Sequence, residues 1–487
     1  MYDVAIVGCG IVGAAAAYEL SRYEASVVVL ERENDVAAGT TKANSAIIHA
    51  GYDPRPDTLM AKLNAEGNAL VWELCAALDV PHRRCGSLML AFSSDEAGLL
   101  EYYAQRGEAN GVPGLEIVGR ERLRAMEPQV SDDAVAALYA PTAGIVSPWE
   151  LALALAENAV VNGAGLRLDS AVTGIERTAG GYRLLTASGP VEAARILNAA
   201  GVHSGAIHAM ISAPAFRIIP DRGEYYLLDK SEGGRVNRVI FHCPTSRGKG
   251  TLVAPTVHGN LIVGPNSERA RFPEDTATTR DGLADVARAA RRSVPSLNLR
   301  DSIRNFAGIR AAADAGDFII AEAPDAPGFI DLAGIKSPGL TAAPAIAKMA
   351  VELLKKSGLA LTEKAGFTSE RKHVRFSELS PEERAAMVAR DPSHGRIVCR
   401  CETVTEGEII ASLRAPVPPR SLDGVKRRTG AGMGRCQGGF CCPRVLELIA
   451  GETGVSLQDI PQDLSGSWIL KGEMRGGTEG ECAMNTN

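Results

Sequence analysis

The chain opens with three patterns in strict order: the apolar run DVAIV, the glycine turn Gly8-x-Gly10-x-x-Gly13, and the small-residue stretch AAAAYEL. That order leaves little choice of fold. An apolar strand feeding a glycine turn and then a helix is the first half of a βαβ unit built to hold a dinucleotide. Gly8 permits the tight turn, Gly10 lets the backbone approach a pyrophosphate, and Gly13 with Ala14 to Ala17 lets the helix pack closely on its sheet. Ile11 and Val12 open that helix, whose N-terminus turns a positive partial charge toward the phosphates. The next strand, SVVVLE, ends in Glu31, 18 residues after Gly13, where a carboxylate can accept hydrogen bonds from a ribose diol.

NAD and FAD share this cradle, so the following segment has to separate them. AAGTTKANSAIIHAGYDPRP (37–56) is rich in Gly, Ser, Thr and Asn, where a βα crossover would start with a capping residue and an apolar helix. Such a loop can line an extended ligand. A helical region (58–79), a strand-like CGSLMLAF and another helix follow, and SPWELALALAENAVVNGAGLRL returns to helix then strand. ARILNAAG is an apolar strand ending in Gly201. Between Phe216 and Phe318 the segments RGEYYLLDK, RVIFHC, TLVAP and GNLIVGP, separated by Gly and Pro, predict an antiparallel sheet, with RDGLADVARAARRSV as one amphipathic helix. SPGLTAAPAIAKMAVELLKK predicts a helix with Thr341 as N-cap and Pro344 in its first turn.

With 487 residues the chain is too long for one ordinary core, so two or three domains are expected. The formal charge of −6 argues against nucleic acid as a partner of the whole chain. Lys348 interrupts one of the longest apolar stretches, and none reaches the roughly 18 apolar residues that span a bilayer. A strand begins by Asp3, leaving no room for a secretory leader, so a cytoplasmic protein is expected. Ten cysteines in a reducing compartment do not form a disulfide framework, and Cys9, Cys75, Cys85 and Cys243 read as buried small hydrophobes.

GTTKANSAIIHAGY, RILNAAGVHS (195–204), NFAGIRAAADAGDF (305–318) and GIKSPGLTAAPAIAKMAVELL (334–354) together resemble the D-amino-acid-oxidase-like superfamily of FAD enzymes. Two of its families stand nearest. HAGYDPRPDTLMAKLNAEGN, NGVPGLEIV, TAGIVSP and PDRGEYYLL resemble L-2-hydroxyglutarate oxidases and dehydrogenases, whereas a flavin domain joined to a cysteine-rich tail resembles the large subunit of anaerobic glycerol-3-phosphate dehydrogenase. The resemblance covers about residues 1–450. It implies an α/β FAD-binding Rossmann-like domain (1–75, 145–215 and 319–360) interrupted by an α+β substrate domain with an antiparallel sheet (76–144 and 216–318). A linker (361–395), a small helical module (396–455) and a tail (456–487) follow.

Under the same resemblance, FAD is held by Gly8, Gly10, Ile11, Val12, Gly13, Glu31 and Arg32, and by the loop residues Thr40, Thr41, Asn44, Ser45 and Ala46. Val172, Ala200, Gly201, Gly308 and Gly334 continue the site, and Ser337, Pro338, Gly339, Leu340 and Thr341 close it. That last segment has an electrostatic use: negative charge developing near flavin N1 after hydride transfer would meet a helix N-terminus. His49, in the flavin loop, is the candidate to take a hydroxyl proton, and Arg310 the candidate to grip the substrate's anionic group through a bidentate fork. Arg222 and Tyr225 are further substrate-binding candidates, although exposed strand residues would look the same. One departure stands out. Glycerol-3-phosphate enzymes carry an arginine shortly after the histidine–glycine segment, and here Tyr52 and Asp53 occupy that place, with Arg55 two residues on.

The character of the chain changes at 360–395, a polar stretch with one helix expected at 381–390. Cys399-x-Cys401 and, after 34 intervening residues, Cys436-x4-Cys441 come next. Thr405 with Glu408 forms a capping box, and Pro443 is placed to begin a further helix. Zinc sites favour tighter C-x2–4-C knuckles, so thiolate iron–sulfur ligation by these four cysteines fits better, with zinc and an empty site as alternatives. The segment resembles the bacterioferritin-associated-ferredoxin-type [2Fe-2S] module, whose first pair is also C-x-C. Residues 396–450 carry nine Lys/Arg against five Asp/Glu, and Arg400, Lys426, Arg427, Arg428 and Arg435 would face the negative charge of such a cluster.

Hydride delivers two electrons at once, and a [2Fe-2S] centre accepts them singly. A flavin joined to such a centre is suited to exporting electrons to another protein. The expectation is therefore an FAD-dependent dehydrogenase acting on a small anionic secondary alcohol, glycerol-3-phosphate first, with further electron-transfer subunits in a hetero-oligomer. Any membrane link, at the inner face, would run through those partners. A 2-hydroxy acid such as L-2-hydroxyglutarate, an amino acid or opine, and a non-catalytic flavin-bearing scaffold are the rival readings. The tail after Leu464 is glycine-rich and expected to be disordered at its end, with SWIL able to dock.

Overall fold

The computed structural model describes residues 1–244 and 250–472; the expected disorder of the extreme tail falls outside that range. Two compact units result: Met1–Val374 with Ala415–Val417 and Gly434–Gln437, and the remainder from Arg375 onward.

In the first unit the strand Tyr2–Val7 lies between Val191–Asn198 and Val27–Leu30, all three parallel, as a βαβ unit requires. Alternation fixes what each face does. Val4, Ile6, Val27, Val29 and Leu197 face the helices Ile11–Leu20, Pro148–Val161 and Gly339–Lys356, whereas Ala5, Val7, Val28, Leu30 and Ile196 face the opposite core beside Phe329 and Tyr182. Both faces are covered, which is why these strands read as unbroken apolar runs. Phe329–Ala333 and Gly165–Arg167 add two further parallel strands, and the antiparallel strands Val172–Thr178, Gly181–Thr186 and Ile319–Glu322 complete a sheet of eight strands among the described residues.

A second sheet of nine strands is built around the long antiparallel pair Ile218–Leu228 and Ser302–Ala313. It is antiparallel except where Val239–His242 runs parallel to Ser87–Ala91, one of three strands contributed by residues 76–144. The helix Leu59–Ala77 starts at Thr58, whose hydroxyl accepts from Ala61 N, and both carboxylate oxygens of Asp317 accept from Leu59 and Met60. Gly67 sits where this helix crosses Gly339–Lys356: a Cβ there would overlap the Thr341 carbonyl oxygen. Residues 361–374 pack on the first unit, through Glu24 N to Thr362 O (2.7 Å), an edge-to-face contact of Phe367 with Tyr18, and the Arg371–Glu157 ion pair at 2.7 Å.

Two details differ from the sequence reading. The helix expected to be capped by Thr341 starts at Gly339, directly after Pro338, so Thr341 is its third residue and its hydroxyl does other work. Pro344 is consequently the sixth helical residue, past the first turn.

The second unit is helical. Pro381–Arg390 and Glu406–Leu413 each begin with a complete capping box, Ser380/Glu383 and Thr405/Glu408. Cys442–Thr453 carries Pro443 in its first turn. Between them lies Leu422–Thr429, a helix absent from the sequence reading although Ser421 caps its start and Gly430, at φ 81°, ends it in the left-handed conformation. Ile409, Val425, Val445 and Ile449 form the core together with Cys399 and Cys441.

Candidate functional site

The glycine turn is built as the sequence requires. Gly8 adopts φ 97°, and a side chain on Gly13 would overlap the Gly8 carbonyl oxygen. Gly10 at the N-cap of the helix that follows has no side chain to cap it, and the Thr41 hydroxyl takes that role, accepting from Ile11 N at 3.0 Å. A Cβ on Gly10 would lie 3.3 Å from that hydroxyl oxygen. Glu31 is buried and accepts from Cys9 N at 2.7 Å and Glu33 N at 3.0 Å, so its carboxylate ties the turn to the second strand. Burial pushes its pKa up. Arg32 lies beside the His203 ring, 2.8 Å away, and pairs with Glu33 at 2.8 Å.

The loop after the second strand is locked to the second sheet. Thr40 donates to Ile309 O at 2.6 Å, and Gly308 is the residue whose missing side chain admits the Ala43 carbonyl. Asn44 bridges the loop, donating to Thr40 O and Thr41 O and accepting from Ala46 N at 2.8 Å, which holds Ala46 at φ 61°. Ser45 reaches the Tyr225 hydroxyl at 3.3 Å. Ala200 and Gly201 follow the parallel strand Val191–Asn198 on the same side of the sheet, and Gly334 and the Ser337–Thr341 segment follow Phe329–Ala333. Val172 starts an outer strand and is half-buried.

His49 is held at three points. Its backbone N donates to the Thr341 hydroxyl at 2.9 Å, its carbonyl accepts from Asn68 at 3.0 Å, and its Nε2 lies 3.0 Å from the Ser337 hydroxyl. Phe241 stacks on the ring at 5.8 Å. A recess beside it is lined by Gly51, Tyr52, Asp53, Ser87, Phe241 and Pro338, while Arg55 is exposed. Thr341, Ser337 and Asn68 as supports of His49 were not legible as such. The one available signal was a pair of asparagines, Asn64 and Asn68, four apart on a buried helix face.

Strand parity sorts the arginines. Asp221 lies directly opposite Arg310, and Tyr225 opposite Phe306, so Arg310 and Tyr225 share the face that meets the 40–46 loop. Arg310 pairs with Asp221 at 3.0 Å and donates to Asn266 O at 2.8 Å. Burial pushes the Tyr225 phenol up, keeping it a hydrogen-bond donor. Arg222 points to the other face. There it lies 3.3 Å from the fully buried Glu224 and 3.2 Å from Asp275, and Glu224 also accepts from Thr279 N and Oγ1. The structure thus brings His49's loop, Tyr225 and Arg310 to one face of the sheet and sets Arg222 apart.

In the second unit, Cys399 and Cys441 are buried and Cys401 is exposed; Cys436, five residues before Cys441 in sequence, belongs to the stretch Gly434–Gln437 of the first unit and is half-buried. Cys399 and Cys441 lie in the same core, with Cys442 packed against it. The neighbouring Cys441 thiol and the backbone N–H groups of Gly432 and Glu402 lower the Cys399 pKa, against burial. Cys441 immediately precedes the helix Cys442–Thr453. Arg427 is engaged by Asp463 at 2.7 Å and Lys426 lies 4.0 Å from Asp423, so these cations are partly structural.

A helix N-terminus over a glycine turn, a polar loop clamped to a second sheet and a second unit with buried cysteines fit a dinucleotide-dependent oxidoreductase with an iron–sulfur appendage. The chain belongs to the FAD dependent oxidoreductase family, whose model matches residues 3–353, and the BFD-like [2Fe-2S] binding domain matches residues 397–451. It is 49% identical to the glycerol 3-phosphate dehydrogenase of Caloramator mitchellensis over 97% of this chain and 98% of the relative. The solved structure of L-alpha-glycerophosphate oxidase from Mycoplasma pneumoniae with FAD bound is 34% identical, covers 76% of this chain and 98% of its own, and superposes with a TM-score of 0.72. Human mitochondrial L-2-hydroxyglutarate dehydrogenase is 30% identical over 64% of this chain and 78% of its own. The glycine turn fits FAD, and the [2Fe-2S] cluster is indicated by the BFD-like match; among the described residues no group of three or more His, Cys, Asp or Glu side chains is gathered as a metal would require. No helix of the described residues is long and apolar enough to cross a membrane.

Proposed function

We propose that the chain oxidises glycerol-3-phosphate to dihydroxyacetone phosphate and exports the electrons through its [2Fe-2S] domain to a partner. One observation carries this reading: the 49% identity to a glycerol 3-phosphate dehydrogenase runs through 97% of the chain, flavin part and cysteine module together. Bound FAD supplies a two-electron acceptor and the cluster, held by Cys399, Cys401, Cys436 and Cys441, a one-electron carrier.

The chain's own residues divide the remaining work. Arg310, kept in place by Asp221, receives the phosphate, and Tyr225 donates a further hydrogen bond beside it. His49 Nε2 accepts the proton of the substrate's C2 hydroxyl, and Ser337 holds the ring for that transfer. Gly8, Gly10, Gly13 and Glu31 hold the dinucleotide, with the 40–46 loop closing over it. Electron acceptors would be separate subunits in a cytoplasmic assembly, and any membrane association would come through them.

The deciding measurement is anaerobic bleaching of bound flavin. Glycerol-3-phosphate should bleach it fast, and L-2-hydroxyglutarate or amino acids slowly or not at all. The L-2-hydroxyglutarate reading retains one supporting observation, Tyr52 and Asp53 in the recess where an arginine is expected, and faster bleaching by that acid would replace the proposal. Rapid turnover on dioxygen alone, unaffected by Cys436→Ser and Cys441→Ser, would overturn the export step.

A further inference from the structure

The long antiparallel pair Ile218–Leu228 and Ser302–Ala313 carries two glycines at one register position, Gly223 opposite Gly308. Neither adopts the left-handed conformation, so the backbone there accepts other residues and the glycines are kept for space. A glycine inside a strand costs stability and marks a close approach. On the same face, Asp221–Arg310 stands on one side of the glycine pair and Tyr225–Phe306 on the other, so the two glycines form a saddle between them.

Each half of the saddle is filled by a different group. The Ala43 carbonyl of the 40–46 loop enters over Gly308, where a Cβ would overlap its oxygen. The Arg310 guanidinium lies over Gly223, where a Cβ would stand 2.6 Å from Nη2, 3.2 Å from Cζ and 2.7 Å from the Pro265 Cβ. Two further contacts fix the guanidinium in that seat. Nη2 donates to Asn266 O at 2.8 Å, and Nε lies 3.0 Å from Asp221 Oδ2, while the other Asp221 oxygen accepts from Ser267 at 2.9 Å. Among the described residues Nη1 has no partner, so both of its N–H groups are left for a ligand.

We propose that Gly223 is a positioning residue of the anion site: its missing side chain seats the Arg310 guanidinium against the strand, beside the Ala43 carbonyl of the flavin loop, and so sets the reach between the substrate's anionic group and that loop. The proposal rests on the reading of Arg310 as the anion site. A methyl group at position 223 meets the far end of a flexible side chain, so the guanidinium swings away and the strand stays. The outcome is a folded, flavin-loaded enzyme with a misplaced cation.

The test is anaerobic bleaching of bound flavin by glycerol-3-phosphate in the full-length protein, with flavin content and folding measured in parallel. Gly223→Ala should keep its flavin and its limiting bleaching rate, and raise the half-saturating glycerol-3-phosphate concentration about tenfold, the loss of one charge-assisted hydrogen bond. In an Arg310→Ala background the same substitution should change that concentration by less than about twofold, because it acts only through the guanidinium. Gly308→Ala, whose methyl meets a backbone carbonyl that cannot swing away, should lose flavin instead. Wild-type half-saturation in Gly223→Ala, or a further loss of comparable size in the Arg310→Ala background, overturns the proposal. A Gly223→Ala protein that fails to fold with or without Arg310 also overturns it, by assigning the glycine to Pro265; folding restored by Arg310→Ala supports it. Wild-type half-saturation in Arg310→Ala alone would refute the anion-site reading itself, and the proposal with it.

Discussion

His49 Nε2 and the Ser337 hydroxyl stand 3.0 Å apart although 288 residues separate them in the chain. The contact joins the loop after the second strand to the segment that opens the helix Gly339–Lys356, the two pieces of backbone expected to flank the flavin ring. His49→Ala should slow flavin reduction by glycerol-3-phosphate about 10²–10⁴-fold, the range of a lost acid–base group. Ser337→Ala should cost about tenfold, about 1.4 kcal/mol of barrier, with flavin content unchanged. Anaerobic stopped-flow absorbance reads both. Equal rates in wild type and His49→Ala would remove the histidine from the chemistry.

Arg310 and Asp221 form the second pair of interest. Arg310→Ala should raise the substrate concentration for half-maximal bleaching by about 10- to 100-fold, as expected for a lost charge-assisted contact of about 1.5–3 kcal/mol. Arg310→Lys should restore only part of the loss, since a lysine cannot form the planar fork. An Arg310→Ala enzyme with wild-type substrate affinity would move the anion site elsewhere.

Arg222 predicts a different phenotype. Removing it leaves Glu224, fully buried, without its cation, so Arg222→Ala should destabilise the first unit by about 3–5 kcal/mol. Thermal unfolding followed by flavin release should show a large fall in midpoint, while the folded fraction keeps its affinity for substrate. A stable variant with weakened substrate binding would reverse the roles assigned to the two arginines.

His242 sets an acid limit on stability. Burial lowers its pKa from 6.5 to about 4, with Arg292 pushing the same way and Glu96 opposing, and its Nε2 is hydrogen-bonded to Ser293. The unfolded chain therefore binds a proton that the fold refuses between these two values, so stability is full above pH 6.5 and is lost as pH falls toward 4. The loss approaches about 3 kcal/mol. His242→Asn should flatten the unfolding midpoint between pH 7 and pH 4.5 relative to wild type; parallel curves would assign the acid sensitivity to other groups.

Gly67 is the hinge of a steric prediction. A methyl group there meets the Thr341 carbonyl, and Thr341 carries the backbone of His49. Gly67→Ala should lower flavin content and flavin reduction rate together, measured as the flavin-to-protein absorbance ratio and by stopped flow. An unaffected holoenzyme would show that the helices can part without disturbing His49.

The legibility of these features in the sequence follows their range. The cradle was readable because strand, glycines, helix and Glu31 are consecutive and each constrains the next. The capping boxes at Ser380 and Thr405 were equally local, although only the second was recognised from its residues. Thr341 was misplaced as an N-cap because its true partner, His49 N, is 292 residues away and no periodicity reports it. The helix Leu422–Thr429 is short and polar, so Lys426, Arg427 and Arg428 read as a run of surface charge, although Ser421 and Gly430 mark its ends. Arg222 and Arg310 looked alike until register was known, since only the pairing of Asp221 with Arg310 reveals which side each one takes.

That register has an evolutionary corollary. Neighbouring positions on the strand Ile218–Leu228 answer to separate pressures: Asp221 and Tyr225 lie on the face that carries Arg310, the proposed anion site, and Arg222 and Glu224 on the opposite, structural face. Relatives that share the scaffold can exchange one acid for another on the first set while leaving the second untouched. Drift in substrate taste and drift in robustness are thereby uncoupled within a single ribbon of backbone.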